Sequence, residues 1–211
     1  LHGLLSINHP GAPSGASCMG CGWTAPNTDY KTVTAIEAIN GGSMDGPGSG
    51  IPFWHEKLNA GFRLAGIGGS DNHEAAYPTM IRSAVGRPTT VVYADDLSER
   101  AILNGVRAGH VFVDIEGSSD RGIEFTATAG AETAAMGDNL KAPDGQTIHV
   151  ALKMRNLLGA YPEIVHDEPN TLLFGEEMTG FDFHADGKRH WFRVNIHAND
   201  GRLLILGNPI Y

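Results

Sequence analysis

Phe62-Arg63-Leu64-Ala65-Gly66-Ile67-Gly68-Gly69-Ser70-Asp71-Asn72-His73 is the stretch on which the reading of this chain turns. An apolar run, Arg63 to Ile67, gives way to two glycines and then to a polar string carrying a carboxylate and an imidazole two positions apart. A short apolar run bounded by Gly marks a buried strand, and loops leaving the carboxyl ends of parallel strands are where α/β folds assemble their sites. The spacing predicts a strand ending at Gly68-Gly69 that hands Asp71 and His73 to a tight loop, a tightness the glycines permit.

The same grammar extends in both directions up to about residue 115. Leu4 to Asn8 reads as a buried strand stopped by His9-Pro10, Ala35 to Ile39 as a second, and Thr89 to Tyr93, after Pro88, as a fourth. Pro52 to Leu58 spaces Phe53, Trp54 and Leu58 for a helix with an aromatic face. Ser98 to Ala108 is the clearest helix, with Asp95 or Asp96 to cap it, Glu99 in its first turn, an Ile102, Leu103 and Val106 stripe, and Gly109 to end it. His110 to Ile115 then reads as the last strand of an α/β unit.

Beyond residue 121 helical periods vanish and period-two runs take over: Ile123 to Ala127, Thr147 to Met154, Glu163 to His166, Leu172 to Phe174, Gly180 to His184, Trp191 to His197 and Arg202 to Leu206. They predict an antiparallel β-sandwich with hairpin turns at Asp186-Gly187 and Asp200-Gly201. The composition shift at Gly117-Ser118-Ser119 divides the chain into domains 1–117 and 118–211.

With 211 residues, 41% hydrophobic and 18% charged, the chain has apolar material for one large or two small cores. No apolar run approaches the roughly 20 residues of a membrane-spanning helix. A net charge of −9 gives no basic surface for a phosphate backbone, so nucleic acid is not an expected partner. The N-terminus does not read as a secretory leader, and localisation stays open between cytoplasm and periplasm or exterior. Cys18 and Cys21, three positions apart, can serve a structural role, close a disulfide or supply half of a zinc site.

Asp71 and His73 can offer oxygen and nitrogen ligands to one cation or to neighbouring ones, and His9 leaves another predicted strand end. A lone His after a strand is usually just hydrogen-bonded, so the expectation rests on the three residues together. His55 on the first helix and His110 at the last strand are candidate substrate contacts. His149, His166, His184, His190 and His197 alternate along the sandwich strands and read as hydrogen-bonded imidazoles. Glu37, inside a buried strand, must face the site or be satisfied by Asn40 and backbone donors, and the second is preferred. Trp54, Phe53 and Tyr77 can wall a pocket, although core packing is the commoner use of such aromatics.

The strings Leu5-Ser6-Ile7-Asn8-His9-Pro10, Phe62 to His73 and Arg107-Ala108-Gly109-His110-Val111-Phe112-Val113 resemble the PHP (polymerase and histidinol phosphatase) metallohydrolases, in the carbaryl hydrolase-like CehA/McbA branch. The tail Trp191-Phe192-Arg193-Val194 with Asp200 to Tyr211 is similar to the closing segment of that branch. The resemblance implies the C-terminal part of a distorted (β/α)7 barrel whose strand ends hold up to three divalent ions, Zn, Mn or Fe. By position His9 matches the late His ligand, and Asp71 and His73 the final Asp-x-His pair. The family's earlier His-x-His, acidic and further ligands would belong to an upstream part of the same protein. His110 stands where the branch carries Arg.

The implied activity is hydrolysis of a small-molecule phosphoester by metal-activated hydroxide. Carbamate or carboxylic ester hydrolysis is the neighbouring expectation, and a non-catalytic module with a carbohydrate- or protein-binding sandwich is the alternative outside enzymology.

Overall fold

Residues 3–16, 18–41, 45–76, 84–167, 172–173 and 179–211 are described by the computed structural model, and the chain divides into two units, Leu1–Gly117 and Ser118–Tyr211. The first unit runs β1 (Ser6–Ile7), β2 (Ala35–Asn40), α1 (Ile51–Asn59), β3 (Ala65–Gly69), β4 (Thr89–Val92), α2 (Glu99–Ala108) and β5 (Val111–Asp114). β2 is central: β1 lies parallel on one side with Ser6 opposite Ala35, and β3 lies parallel on the other with Ala35 opposite Ala65 and Asn40 opposite Gly69. Every residue of β2 is buried, which is why its sequence is a continuous apolar run rather than an alternation. Glu37 and the closing Asn40 are the exceptions in that run.

Trp54 decides how α1 packs. Its side chain is 0% exposed, its indole Nε1 donates to the Leu64 carbonyl at 2.8 Å, and a Cβ on Gly66 would stand 2.6 Å from its ring. Gly66 is therefore the space into which the indole fits, and the buried ring makes a large apolar contribution to this core. Gly68 makes the same allowance for Val113. On α2 the N-terminal cap is Ser98, whose hydroxyl accepts from the Ala101 N–H at 3.1 Å. Asp96 acts one step earlier by accepting from the Ser98 N–H at 2.7 Å. Gly109, at φ 77°, ends the helix in the left-handed conformation that glycine adopts without strain.

The expected segment of a (β/α)7 barrel is not what forms. Strand accounts for 36% of the chain and helix for 10%, and the described residues contain two helices and no closed barrel. A (β/α) barrel follows each parallel strand with a crossover helix. Here the described residues between β1 and β2 contain no helix, and β4 pairs antiparallel with β5, Thr89 opposite Asp114. Short apolar runs punctuated by glycine look alike in either setting, since periodicity does not report strand direction.

The second unit comprises β6 (Gly122–Ala129), β7 (Glu132–Ala135), β8 (Thr147–Arg155), β9 (Tyr161–His166), β10 (Leu172–Leu173), β11 (Gly180–His184), β12 (Phe192–His197) and β13 (Leu203–Gly207). They form an antiparallel layer ordered β11-β8-β6-β7 and a second antiparallel run ordered β10-β9-β12-β13. Alternation along β6 and β8 buries Ile123, Phe125, Ala127, Val150 and Leu152, as one half-buried sheet face requires. The Phe181 and Phe183 rings meet Phe192 at 5.8 and 4.8 Å between centroids. Asp200-Gly201 turns between paired β12 and β13. Asp186-Gly187 is not a hairpin turn, because β11 pairs with β8 and β12 with β9 and β13. Of the predicted Leu172 to Phe174 run, Phe174 lies outside the described residues. Among the described residues no helix is long and apolar enough to cross a membrane.

Candidate metal centre

His9 lies two residues beyond the end of β1, with Pro10 next in the turn that follows. Its backbone sits at φ 46°, a left-handed conformation costing a non-glycine residue of order 1 kcal/mol or more. Hydrogen bonds hold it there: the His9 N–H donates to Glu37 Oε2 at 2.9 Å, and its carbonyl accepts from the N–H groups of Ala12 and Gly22 at 3.2 and 3.1 Å. Asp71, at φ 51°, occupies the same strained region in the loop after β3. Unfavourable backbone at two non-glycine positions, both in loops leaving the outer strands β1 and β3 on either side of β2, is a pattern found at functional sites.

The side chains converge. Asp71 Oδ1 lies 3.9 Å from His9 Nε2 and 3.3 Å from His73 Nε2. Glu37 Oε2 lies 3.8 Å from His9 Nε2 and accepts from Asn40 Nδ2 at 3.3 Å. The structure thus brings His9, Asp71 and His73 together and adds Glu37, which sequence reasoning had assigned to a structural role. Glu37 fills that role too, but its carboxylate stands against the His9 ring. The signal was legible as the single charge in Ala-Ile-Glu-Ala-Ile-Asn. Exposure grades across the group: Glu37 is buried, Asp71 and His9 are partly open, and the His73 side chain is 85% exposed.

The donor types suit a divalent cation. Nitrogen and oxygen ligands at bonds of about 2.0–2.2 Å stand roughly 2.8–3.6 Å apart around a common ion; the Asp71–His73 separation of 3.3 Å falls in that range and the 3.8 and 3.9 Å separations from His9 lie just above it, but no three of these imidazole and carboxylate donors lie within 4.8 Å of one another, so a single ion would have to draw them closer. The group is open on the Asp71–His73 side, so further donors or solvent would complete a coordination shell.

A second set of donors shares His9. Cys18 and Cys21 are joined in a disulfide with Cα atoms 5.4 Å apart, which selects one of the readings open from the sequence. One nitrogen of His9 and the two sulfurs all lie within 4.8 Å of one another, and among the described residues this is the one triad of His, Cys, Asp or Glu gathered so closely. A disulfide sulfur carries no thiolate and is not a ligand in this state.

His110 is not brought to the group. Val111 clusters with Ala35 and Ala65, the first residues of β2 and β3, and Val113 lies against Gly68. His110 therefore stands at the amino end of these strands, about 13 Å by strand rise from the end that carries Asp71. The one-dimensional pattern had shown only that His110 borders a strand. His55 is half-buried on α1. Trp54 belongs to the core, and Phe53 packs with Tyr30 at 6.2 Å under Lys57. Tyr77 lies outside the described residues.

In the second unit the histidines mostly pair with carboxylates. His149 Nδ1 meets Asp182 Oδ1 at 2.6 Å, and His184 ends β11, exposed. His166 tilts over Phe192 at 5.8 Å. His197 Nε2 bonds Glu163 Oε2 at 2.7 Å, and Asn195 Nδ2 donates to the same oxygen at 2.7 Å. The His197 bond outweighs burial and holds the Glu163 carboxyl below its ordinary range. Fully buried Arg193 donates to Asn195 Oδ1, and burial pushes its guanidinium down to about 10. His190 is clamped between Asp167 and Asp186, at 3.0 and 2.8 Å. Burial pulls its pKa down, but the bonds to Asp186 and Asp167 more than reverse this and raise it.

Comparison of the chain with family models, with curated proteins and with solved structures yields no match.

Proposed function

We propose that the first unit carries part of the site of a divalent-metal-dependent hydrolase akin to the PHP metallohydrolases, acting on small phosphoesters. The observation that supports this reading is the convergence of His9, Glu37, Asp71 and His73, from three adjacent parallel strands and the loops that leave them, with His9 and Asp71 both in strained backbone. A divalent ion held there supplies a lowered water pKa and neutralises charge on the group being transferred. His9, Asp71 and His73 are its holding residues in this proposal, and Glu37 orients His9 through the backbone bond and the adjacent carboxylate. The further donors that the resemblance assigns to upstream sequence complete the set.

Phosphoesters are favoured over carbamates by the character of the opening. Asp71 and His73 face solvent, which suits a hydrated anionic substrate. Trp54 and Phe53, which would have made an apolar wall, are engaged beneath Gly66 and beside Tyr30. The deciding experiment is metal analysis of the full-length protein prepared without chelators, followed by Asp71→Asn. Wild type should hold one or more ions per chain and hydrolyse p-nitrophenyl phosphate faster than a naphthyl carbamate, and the variant should lose ion and turnover together. Fewer than about one ion per chain in the wild type defeats the proposal.

A further inference from the structure

We propose that Cys18, Cys21 and His9 form a second, redox-gated site for a thiophilic cation such as Zn2+, sharing His9 with the Asp71 group, closed while the disulfide stands and opened by its reduction. The inference rests on the sulfur geometry and stands whether or not the hydrolase reading does. The donors already lie within 4.8 Å of one another. Two thiolates and an imidazole on one tetrahedral ion, with Zn–S near 2.3 Å and Zn–N near 2.0 Å, require S···S of about 3.7 Å and N···S of about 3.5 Å. A Cα separation of 5.4 Å serves a disulfide and, after small side-chain rotations, the wider sulfur spacing of chelation as well.

The backbone keeps the triad in place independently of the S–S bond. Gly22 and Ala12 both donate to the His9 carbonyl, Trp23 donates to the Pro10 carbonyl at 3.2 Å, and Cys18 and Gly15 exchange a pair of hydrogen bonds at 3.1 Å. Gly22, directly after Cys21, takes φ +69°, and a Cβ there would meet the Ala12 carbonyl at 3.1 Å, so the loop's return onto His9 needs glycine. Breaking the disulfide leaves these contacts standing.

The opening reaction balances with a dithiol as reductant. One thiolate of the dithiol attacks Cys18, the less buried of the pair, and Cys21 leaves as thiolate. The second thiol of the reductant then closes its own disulfide and frees Cys18. Two electrons and two protons pass to the pair, and a bound cation displaces the protons again. Neutral imidazole has a single lone pair, so His9 given to this ion is withdrawn from the Glu37 and Asp71 side.

The test uses the full chain and Co2+, oxidised and after a phosphine reductant that adds no competing thiolate. The reduced protein should bind one Co2+ with a thiolate-to-cobalt charge-transfer band in the near ultraviolet, and the oxidised protein should show none. His9→Ala should keep the band and weaken binding about 10-fold or more. Cys18→Ser, which needs no reductant, should show about half the band intensity. No band in the reduced protein, a His9→Ala affinity equal to wild type, or loss of structure on reduction that Co2+ does not restore would each overturn the proposal. Mn2+ binding to the oxidised protein reports the Asp71 group separately, so failure of either site is read without the other.

Discussion

Glu37 holds the His9 backbone and, in the proposed metal site, stands beside a ligand imidazole, two roles that a pair of substitutions can separate. The residue is 5% exposed, and Oε2 accepts from the His9 N–H at 2.9 Å and from Asn40 Nδ2 at 3.3 Å. Glu37→Ala takes this acceptor from both donors, at about 1–3 kcal/mol for a fully buried one and less for the half-buried His9 amide. It also withdraws the bond that offsets the strained His9 backbone. A loss of about 2–4 kcal/mol is expected for the first unit. Glu37→Gln keeps an amide oxygen for His9 and removes only the charge, for about 1 kcal/mol. Cation binding should divide the variants differently, because loss of the carboxylate beside a ligand imidazole weakens affinity about 10–100-fold, and Gln suffers that loss almost as fully as Ala. Urea unfolding with isothermal titration of Mn2+ measures both quantities on the same samples. A Gln variant with unchanged Mn2+ affinity would refute the reasoning and return Glu37 to a purely structural role.

Further predictions concern the core and the second unit. Trp54→Ala empties a fully buried indole site and removes the donor to Leu64, so it should destabilise by about 3–5 kcal/mol in chemical denaturation; a loss under 1 kcal/mol would contradict the packing. Stability of the second unit should fall at both ends of the pH range. Glu163 is held below its ordinary pKa, so its contribution is full above that ordinary value and is lost as pH falls through the lowered one. His190 is held above its ordinary pKa, so its contribution is full below that value and is lost as pH rises through the raised one. Thermal midpoints against pH should therefore show Glu163→Gln flattening the acid limb and His190→Gln the alkaline limb, and unchanged limbs would count against the pairing.

Local structure was readable where a residue's neighbours along the chain decide its conformation. Period-two alternation in Ile123 to Ala127 and Thr147 to Met154, and the end of α2 at Gly109, follow from such rules. Sheet direction was not readable: Thr89 to Tyr93 fits a parallel or an antiparallel partner, and the partner, β5, arrives only after α2. The candidate group was legible through Asp71, His73 and His9 because each lies in the polar stretch just beyond an apolar run. Glu37 was harder, since a charge inside a buried strand announces that it must be satisfied without saying by whom. His110 was misplaced for the converse reason, because bordering a strand does not reveal which end of the sheet the strand starts from.

The fit of the Trp54 indole into the space left by Gly66 also constrains the order in which relatives of this sequence can diverge. Any side chain at 66 collides with the ring, and shrinking the ring alone leaves a void, so the two positions are coupled rather than additive. A lineage can acquire alanine at 66 only after a smaller residue has settled at 54. Descendants that kept tryptophan are locked into glycine, and a sequence library that randomises position 66 alone will recover only glycine.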